Sequence, residues 1–235
     1  FRGSDTTLLR PLASFRDWKT NLRALLTSDS LKGKSHAGFR KTYEKEVLYN
    51  PEIRQLIESV VERAVDRAKR TDRRVKIFIT GHSLGGALAV HCARHVQRRL
   101  NRREVDEGLF PCLRWPEVVL VTFGCPRVGD KQFVKSINRL IPPRRHFRVI
   151  NANDPIPALP PPLPRGYRHA GKKLAIGGLR YYPVFFADHL MKSYRRALGI
   201  ETSIGRQSPR RPWLNVLWKG LKTYALKKLT GHIFP

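Results

Sequence analysis

The spacing of apolar positions in this chain changes from place to place, and each change marks an element. Ile53, Leu56, Ile57, Val60, Val61, Ala64, Val65 and Ala68 recur with a 3.6-residue period, which predicts an amphipathic helix. Asn50 stands in front of it as a cap, Pro51 suits its first turn, and Lys69 and Arg70 suit its C-terminal dipole. Val75, Ile77, Phe78 and Ile79 then form a short β-rich run, and Ala87, Leu88, Val90, Ala93, Arg94 and Val96 return to helical spacing. Residues 117–123 (EVVLVTF) are almost continuously apolar, the pattern of a strand covered on both faces in a parallel sheet. Phe133, Val134, Ile137 and Leu140 predict a further helix behind Asp130 as its cap, and residues 147–150 a third strand. Strands alternating with helices predict βαβ units around a mostly parallel sheet, an α/β fold.

Between these elements the pattern is weaker. Residues 1–4 read as the end of a strand whose upstream apolar run is absent, so the sequence predicts a chain truncated at its N-terminus, part of a longer protein. Residues 5–14 are loop-like, and Trp18, Leu22 and Leu25 or Leu26 are spaced like one helical face. Residues 34–39 read as a turn-rich link, residues 40–49 as helical, and residues 101–116 as a charged connection. The proline-rich run to Pro164 predicts a rigid wrapping loop. Tyr167 to Gly171 lead into a hairpin turning at Gly177 and Gly178, and a helix begins near Asp188 and runs through Tyr194.

The last stretch differs in character. Leu214, Leu217, Trp218, Leu221, Ala225 and Leu229 lie on one helical face, and Lys219, Lys222, Lys227 and Lys228 mostly on others. Such a basic, tryptophan-bearing amphipathic helix suits a membrane interface; docking on the domain is the alternative. The predicted organisation is one α/β domain over residues 1–200 and a basic amphipathic extension over residues 201–235.

Composition sharpens this picture. With 41% hydrophobic residues, the 235-residue chain can bury a core. Its formal net charge of +28 favours polyanionic surfaces, an anionic membrane among them. No zinc spacing, phosphate-binding loop or RNA-recognition motif accompanies that charge, so nucleic acid is not predicted as a partner, and a solvated basic surface accounts for most of it. Cys92, Cys112 and Cys125 are too few and too scattered for a disulfide scaffold and predict buried free thiols. No apolar run reaches the length of a membrane-spanning helix, and no targeting segment is visible from which a compartment could be assigned; peripheral membrane association is the expectation.

The candidate chemistry lies where the first strand meets its helix. Gly81-His82-Ser83-Leu84-Gly85 fits G-x-S-x-G, a sharp turn that lifts a serine hydroxyl clear of a sheet and aims a helix N-terminus at any oxyanion formed there. The flanking glycines let strand and helix approach closely. An activated serine needs a base, and the base an orienting acid, in the chain order Ser, Asp, His. Ser83, Asp154 and His189 satisfy that order. Asp154 follows the third strand and is held by prolines; Asp130 reads better as a helix cap, and Asp188 lies too near His189 to orient it easily. Among the histidines, His36, His82, His91, His95 and His146 are out of order or misplaced, His169 reads as structural, and His232 is near the end. The backbone N–H of Leu84 is one oxyanion donor, and Ser4 is placed to be the other.

These words together resemble the class 3 lipase family, the filamentous-fungal triacylglycerol lipases and plant lipase-like acyl hydrolases. FRGS, DW with a following NL, HAGF with Tyr43 downstream, ITGHSLGGALA, TFGCPRVGD, NANDPIPALPP, GYRHAG and DHLMKSY carry the resemblance. It implies an α/β-hydrolase fold with Ser83 as nucleophile, Asp154 as acid, His189 as base, and Ser4 and Leu84 as oxyanion donors. It further implies a lid between Ser4 and Trp18, in which the chain carries an insertion around residues 8–13, and no metal or organic cofactor.

The expected function is serine-dependent hydrolysis of lipid acyl esters at an interface, most simply of triacylglycerol, with no obligate protein partner inferred. A phospholipase A1-like or galactolipid acyl hydrolase acting on anionic membranes keeps the chemistry and changes the substrate. A lipase-derived basic module that only binds membranes is the non-enzymatic alternative.

Overall fold

The computed structural model describes residues 26–28, 33–71, 74–106, 115–177 and 187–200. The chain divides into two units, one of Phe1–Ile150 with Pro155–Leu174, the other of Asn151–Asp154 with Ala175–Pro235. Among the described residues, strands β3 (Lys76–His82), β4 (Glu117–Phe123), β5 (His146–Asn151) and β6 (Lys172–Ile176) form one sheet in that order. A short antiparallel pair, β1 (Leu26–Ser28) and β2 (Lys34–His36), stands apart from it. The helices are α1 (Ala37–Tyr43), continued by a π-helical turn over Glu44–Leu48, α2 (Pro51–Arg70), α3 (Leu84–Asp106), α4 (Lys131–Leu140) and α5 (Met191–Ala197).

The pairing is parallel where the sequence predicts it. β4 runs parallel to β3, with Lys76 opposite Glu117 and His82 opposite Phe123, and parallel to β5, with Thr122 opposite Arg148. Every residue of β4 after Glu117 is buried, as a strand covered on both faces must be. Both predicted caps form: Asn50 Oδ1 accepts from Ile53 N at 3.1 Å, and Asp130 Oδ1 accepts from Phe133 N at 2.8 Å.

The core sits between this sheet and α3. Residues 85–94 of α3 are buried all round, and the helix packs on β3, β4 and α1. Gln97 ends this stretch with a polar clasp: its Oε1 accepts from Val118 N at 2.9 Å and from Arg145 Nη1 at 3.3 Å, where β4 begins. Trp115 Nε1 donates to Leu100 O at 3.0 Å. Cys92 and Cys125 are free thiols in this core, and burial pushes each up to about 12.

Two local expectations are corrected, and the exposure of one helix is added to its expected pattern. Residues 101–106 are not a connection but the last turns of α3, in which Arg103 reaches Glu62 at 3.3 Å just as Arg99 reaches Glu58 at 2.8 Å, pairing α3 with α2. Residues 34–39 are not a link: they are β2 and the start of α1, tied down by His36 N donating to Val128 O at 2.8 Å and Asp130 N to Lys34 O at 2.9 Å. The apolar stripe of α2 is buried only at Val61, Ala64 and Val65; Leu56 and Val60 stay 57% and 37% exposed. The far strand of the hairpin expected beyond Gly177, Cys112, the segment around Trp18 and residues 201–235 lie outside the described residues. No helix among the described residues is long and apolar enough to cross a membrane.

Candidate active site

Ser83 occupies the joint between β3 and α3. Its φ is +58°, the one positive value at a non-glycine position among the described residues. Left-handed backbone costs a serine about 1–3 kcal/mol, so the surroundings must impose it. They do so from both sides: Ser83 N donates to Phe123 O at 2.9 Å, and Ser83 O accepts from Gly86 N at 2.9 Å. The residue is only 5% exposed. Leu84 is the first residue of α3, so its N–H belongs to the positive end of a long helix.

The second unit carries Asp154 and His189. β5 ends at Asn151, and Asp154 N turns back to donate to Asn151 O at 3.0 Å. The Asp154 side chain is wholly shielded from solvent and that of His189 nearly so. His189 Nδ1 lies 3.0 Å and 2.9 Å from the two carboxylate oxygens. A carboxylate only accepts, so Nδ1 carries the hydrogen and Nε2 is left as the proton acceptor of the ring. The Tyr194 hydroxyl donates to Asp154 Oδ2 from the buried face of α5. A carboxylate held by two donors in a dry site can fix an imidazole and stabilise it when it becomes cationic.

The rivals are occupied otherwise. Asp130 caps α4, and Asp188 Oδ1 accepts from Ser193 Oγ at 3.0 Å. His36 accepts from Phe39 N and stacks on the Phe39 ring, and His91 packs between the rings of Tyr43 and Phe133. His169 Nε2 lies 2.8 Å from Pro157 O, and His146 is buried beneath Gly171. Thus Asp154 and His189 are brought together in the second unit, Ser83 and Leu84 stand in the first, and Ser4 lies outside the described residues. Among the described residues no cluster of His, Cys, Asp or Glu is placed to hold a metal ion. Sequence reasoning missed Tyr194 as a partner of the acid; its signal was the tyrosine in the turn of helix after the base, visible in DHLMKSY.

Comparison with known proteins gives the family of the chain. The profile of the family described as Lipase (class 3) matches residues 1–163. Secreted mono- and diacylglycerol lipase 1 of Fusarium solani is 31% identical over 172 residues, 72% of this chain and 43% of its own length. Phospholipase A1-II 4 of rice (Oryza sativa subsp. japonica) is 36% identical over 124 residues, 52% of this chain and 27% of its own. Among solved structures, the native Rhizomucor miehei lipase propeptide complex is similar with a TM-score of 0.52 and 30% identity, over 75% of this chain and 47% of that one. The chain thus spans less than half the length of each of these proteins. With the family matched over most of its length and an elbow serine between a parallel strand and its helix, the chain is an α/β-hydrolase fold that belongs to the class 3 lipase family.

Proposed function

We propose that the protein hydrolyses acyl esters of lipids, most simply triacylglycerol, through an acyl-enzyme. Ser83 Oγ attacks the ester carbonyl while His189 Nε2 takes its proton. The N–H of Leu84 and the hydroxyl of Ser4 hold the tetrahedral oxyanion. The C–O bond to the glycerol breaks, His189 returns the proton to the departing alkoxide, and the acyl group stays on Ser83. Water, deprotonated by His189, attacks the acyl-enzyme and releases the fatty acid, returning the proton to Ser83. Asp154 keeps the imidazole in the Nδ1–H tautomer throughout.

The observation that carries the proposal is the pairing of His189 Nδ1 with both oxygens of a fully shielded Asp154 carboxylate. It supplies a base with a fixed tautomer, in the chain order that an elbow serine requires. The test is turnover of p-nitrophenyl butyrate, then of emulsified triolein, by the protein and by Ser83→Ala. Turnover that survives the substitution overturns Ser83 as the nucleophile and the proposal with it, and an unsubstituted protein without turnover on either ester leaves the basic module without catalysis as the better account.

A second substrate class is favoured by one observation, the net charge of +28, together with the likeness to a protein named as a phospholipase A1. A cationic surface concentrates the enzyme on anionic bilayers, each Lys or Arg near the surface adding about 1 kcal/mol at low salt. Hydrolysis of phosphatidylglycerol vesicles faster than of triolein, with a steep loss on adding salt, would select this class.

A further inference from the structure

Asn151 closes β5 three residues before Asp154, and it is 5% exposed. Its side chain does not face its own turn. Nδ2 donates to the backbone oxygen of Asp188 at 3.0 Å and to Ser193 Oγ at 3.2 Å. The amide orientation is fixed by chemistry: the Asp188 carbonyl can only accept, and the single Ser193 hydroxyl proton is committed to Asp188 Oδ1. The amide must therefore present its NH2 to both. Its oxygen fills the place where Gly177 lacks a Cβ, 2.6 Å from that position, and Gly177 itself has a φ of +72°.

The Asp188 carbonyl that Asn151 grips is the acyl half of the peptide bond to His189. Meanwhile the main-chain oxygen of Asn151 accepts from Asp154 N. One residue thus holds the acid by its backbone and the base by its side chain. Neither hold involves the Asp154–His189 bond. Ser193 braces the same carbonyl-bearing residue from α5, one position before Tyr194, which binds the acid.

We infer that Asn151, braced by Ser193, is a positioning residue of the hydrolytic centre: it sets the distance between the acid turn and the base turn, so that His189 meets the Asp154 carboxylate through Nδ1 alone. This rests on the triad proposed above. A misplacement of about 1 Å costs around a hundredfold in rate, so a residue that fixes this spacing controls kcat rather than substrate binding.

The test compares the protein with Asn151→Ala and Ser193→Ala. The readouts are kcat and KM on p-nitrophenyl butyrate, the melting temperature, and the ring 15N shifts of His189, assigned with His189→Ala. Asn151→Ala is expected to lower kcat by about tenfold to a hundredfold with KM within twofold, and Ser193→Ala by a smaller factor. The 15N shifts are expected to show a single Nδ1–H tautomer in the wild type and a mixture of tautomers in Asn151→Ala. A merely structural residue would lower the melting temperature and leave the tautomer of the folded molecules as it was. If Asn151→Ala does not fold, Ser193→Ala is read the same way. A wild-type tautomer in the folded variants, or a wild type that is itself mixed, overturns the inference whatever turnover does. Failure of the hydrolase proposal is seen separately, as turnover unaffected by Ser83→Ala, and the tautomer measurement stands without turnover.

Discussion

The Cβ that Gly81 lacks would lie 2.1 Å from the carbonyl oxygen of Gly85. The end of β3 and the first turn of α3 therefore approach each other across the left-handed Ser83 as closely as only a residue without a Cβ permits. Neither partner can yield, because one is bound into the sheet and the other into a buried helix. Gly81→Ala is expected to cost about 3 kcal/mol or more, which in a protein of this size lowers the melting temperature by roughly 6–12 °C. Thermal denaturation measures it, and an unchanged melting temperature would show that the elbow can open without penalty.

Ser83→Ala removes one hydroxyl and is expected to lower ester turnover by about 10⁴-fold while the melting temperature stays close to wild type. His189→Ala is expected to match it. His169→Ala takes away the bond to Pro157 O and is expected to act on the melting temperature first. Paired kcat and thermal measurements on the three variants decide between them; a well-folded but inactive His169→Ala beside an active His189→Ala would move the base to His169.

Tyr194→Phe deletes a hydroxyl that donates to a shielded carboxylate. A hydrogen bond to a charged group contributes about 1.5–3 kcal/mol, and part of that loss is expected in the transition state, where Asp154 faces a cationic imidazole. The expected outcome is a kcat lowered by about tenfold with KM little changed. Equal kcat in the variant and the wild type would reduce Tyr194 to a packing residue.

What the sequence could reveal follows from how local each signal is. β4 was legible because a buried parallel strand needs an unbroken apolar run, and α2 and α4 because Asn50 and Asp130 cap the turn that they themselves begin. The acid and the base were legible as residue types in order after the elbow. Their supports were not: Asn151 finds Ser193 and Asp154 finds Tyr194 some 40 positions along the chain, and no periodicity records such a bond. β2 was missed because its three residues are held by β1 and by the loop at Val128, not by a pattern of their own. The end of α3 was missed because the apolar period stops there while ion pairs to α2 carry the helix on.

Three histidines outside the candidate site make the fold acid-sensitive. Burial holds His36 down at about 4 and His146 and His169 at about 3, with the charge of Arg148 adding to the effect on the last two. Above pH 6.5 these rings are neutral in both the folded and the unfolded chain, and their contribution is fully present. As pH falls below 6.5 the unfolded chain takes up protons that the folded chain refuses, so stability is lost by up to about 1.4 kcal/mol per pH unit for each histidine, down to the folded values. Urea midpoints from pH 7 to pH 4 are expected to fall steeply. His146→Gln is expected to fall less steeply whatever its midpoint at pH 7, and an identical slope would show that His146 is not held neutral.

The last prediction concerns the loop that leaves Asp154. Pro155, Pro157 and Pro160 cannot donate a backbone hydrogen bond, so this segment depends on donors from elsewhere to hold its carbonyls. Four successive carbonyls are held from outside the loop. His169 Nε2 binds that of Pro157, Arg127 Nη1 those of Ala158 and Pro160, and the Arg127 backbone N–H that of Leu159, at 2.7 Å. The arginine comes from the GCPRVGD loop after β4, so one residue ties that loop to the segment beginning one peptide bond after the acid. Arg127→Ala keeps the backbone bond and loses both side-chain bonds, a cost of about 2 kcal/mol or somewhat more for a charged donor, and a melting temperature lower by roughly 4–8 °C. Arg127→Lys keeps a charge but not the planar fork, and is expected to recover only part of that loss. Turnover at a temperature where both variants are fully folded then reports whether the clamp also steadies Asp154. A kcat lowered severalfold in Arg127→Ala and partly restored in Arg127→Lys is expected, and full activity in both would confine the clamp to stability.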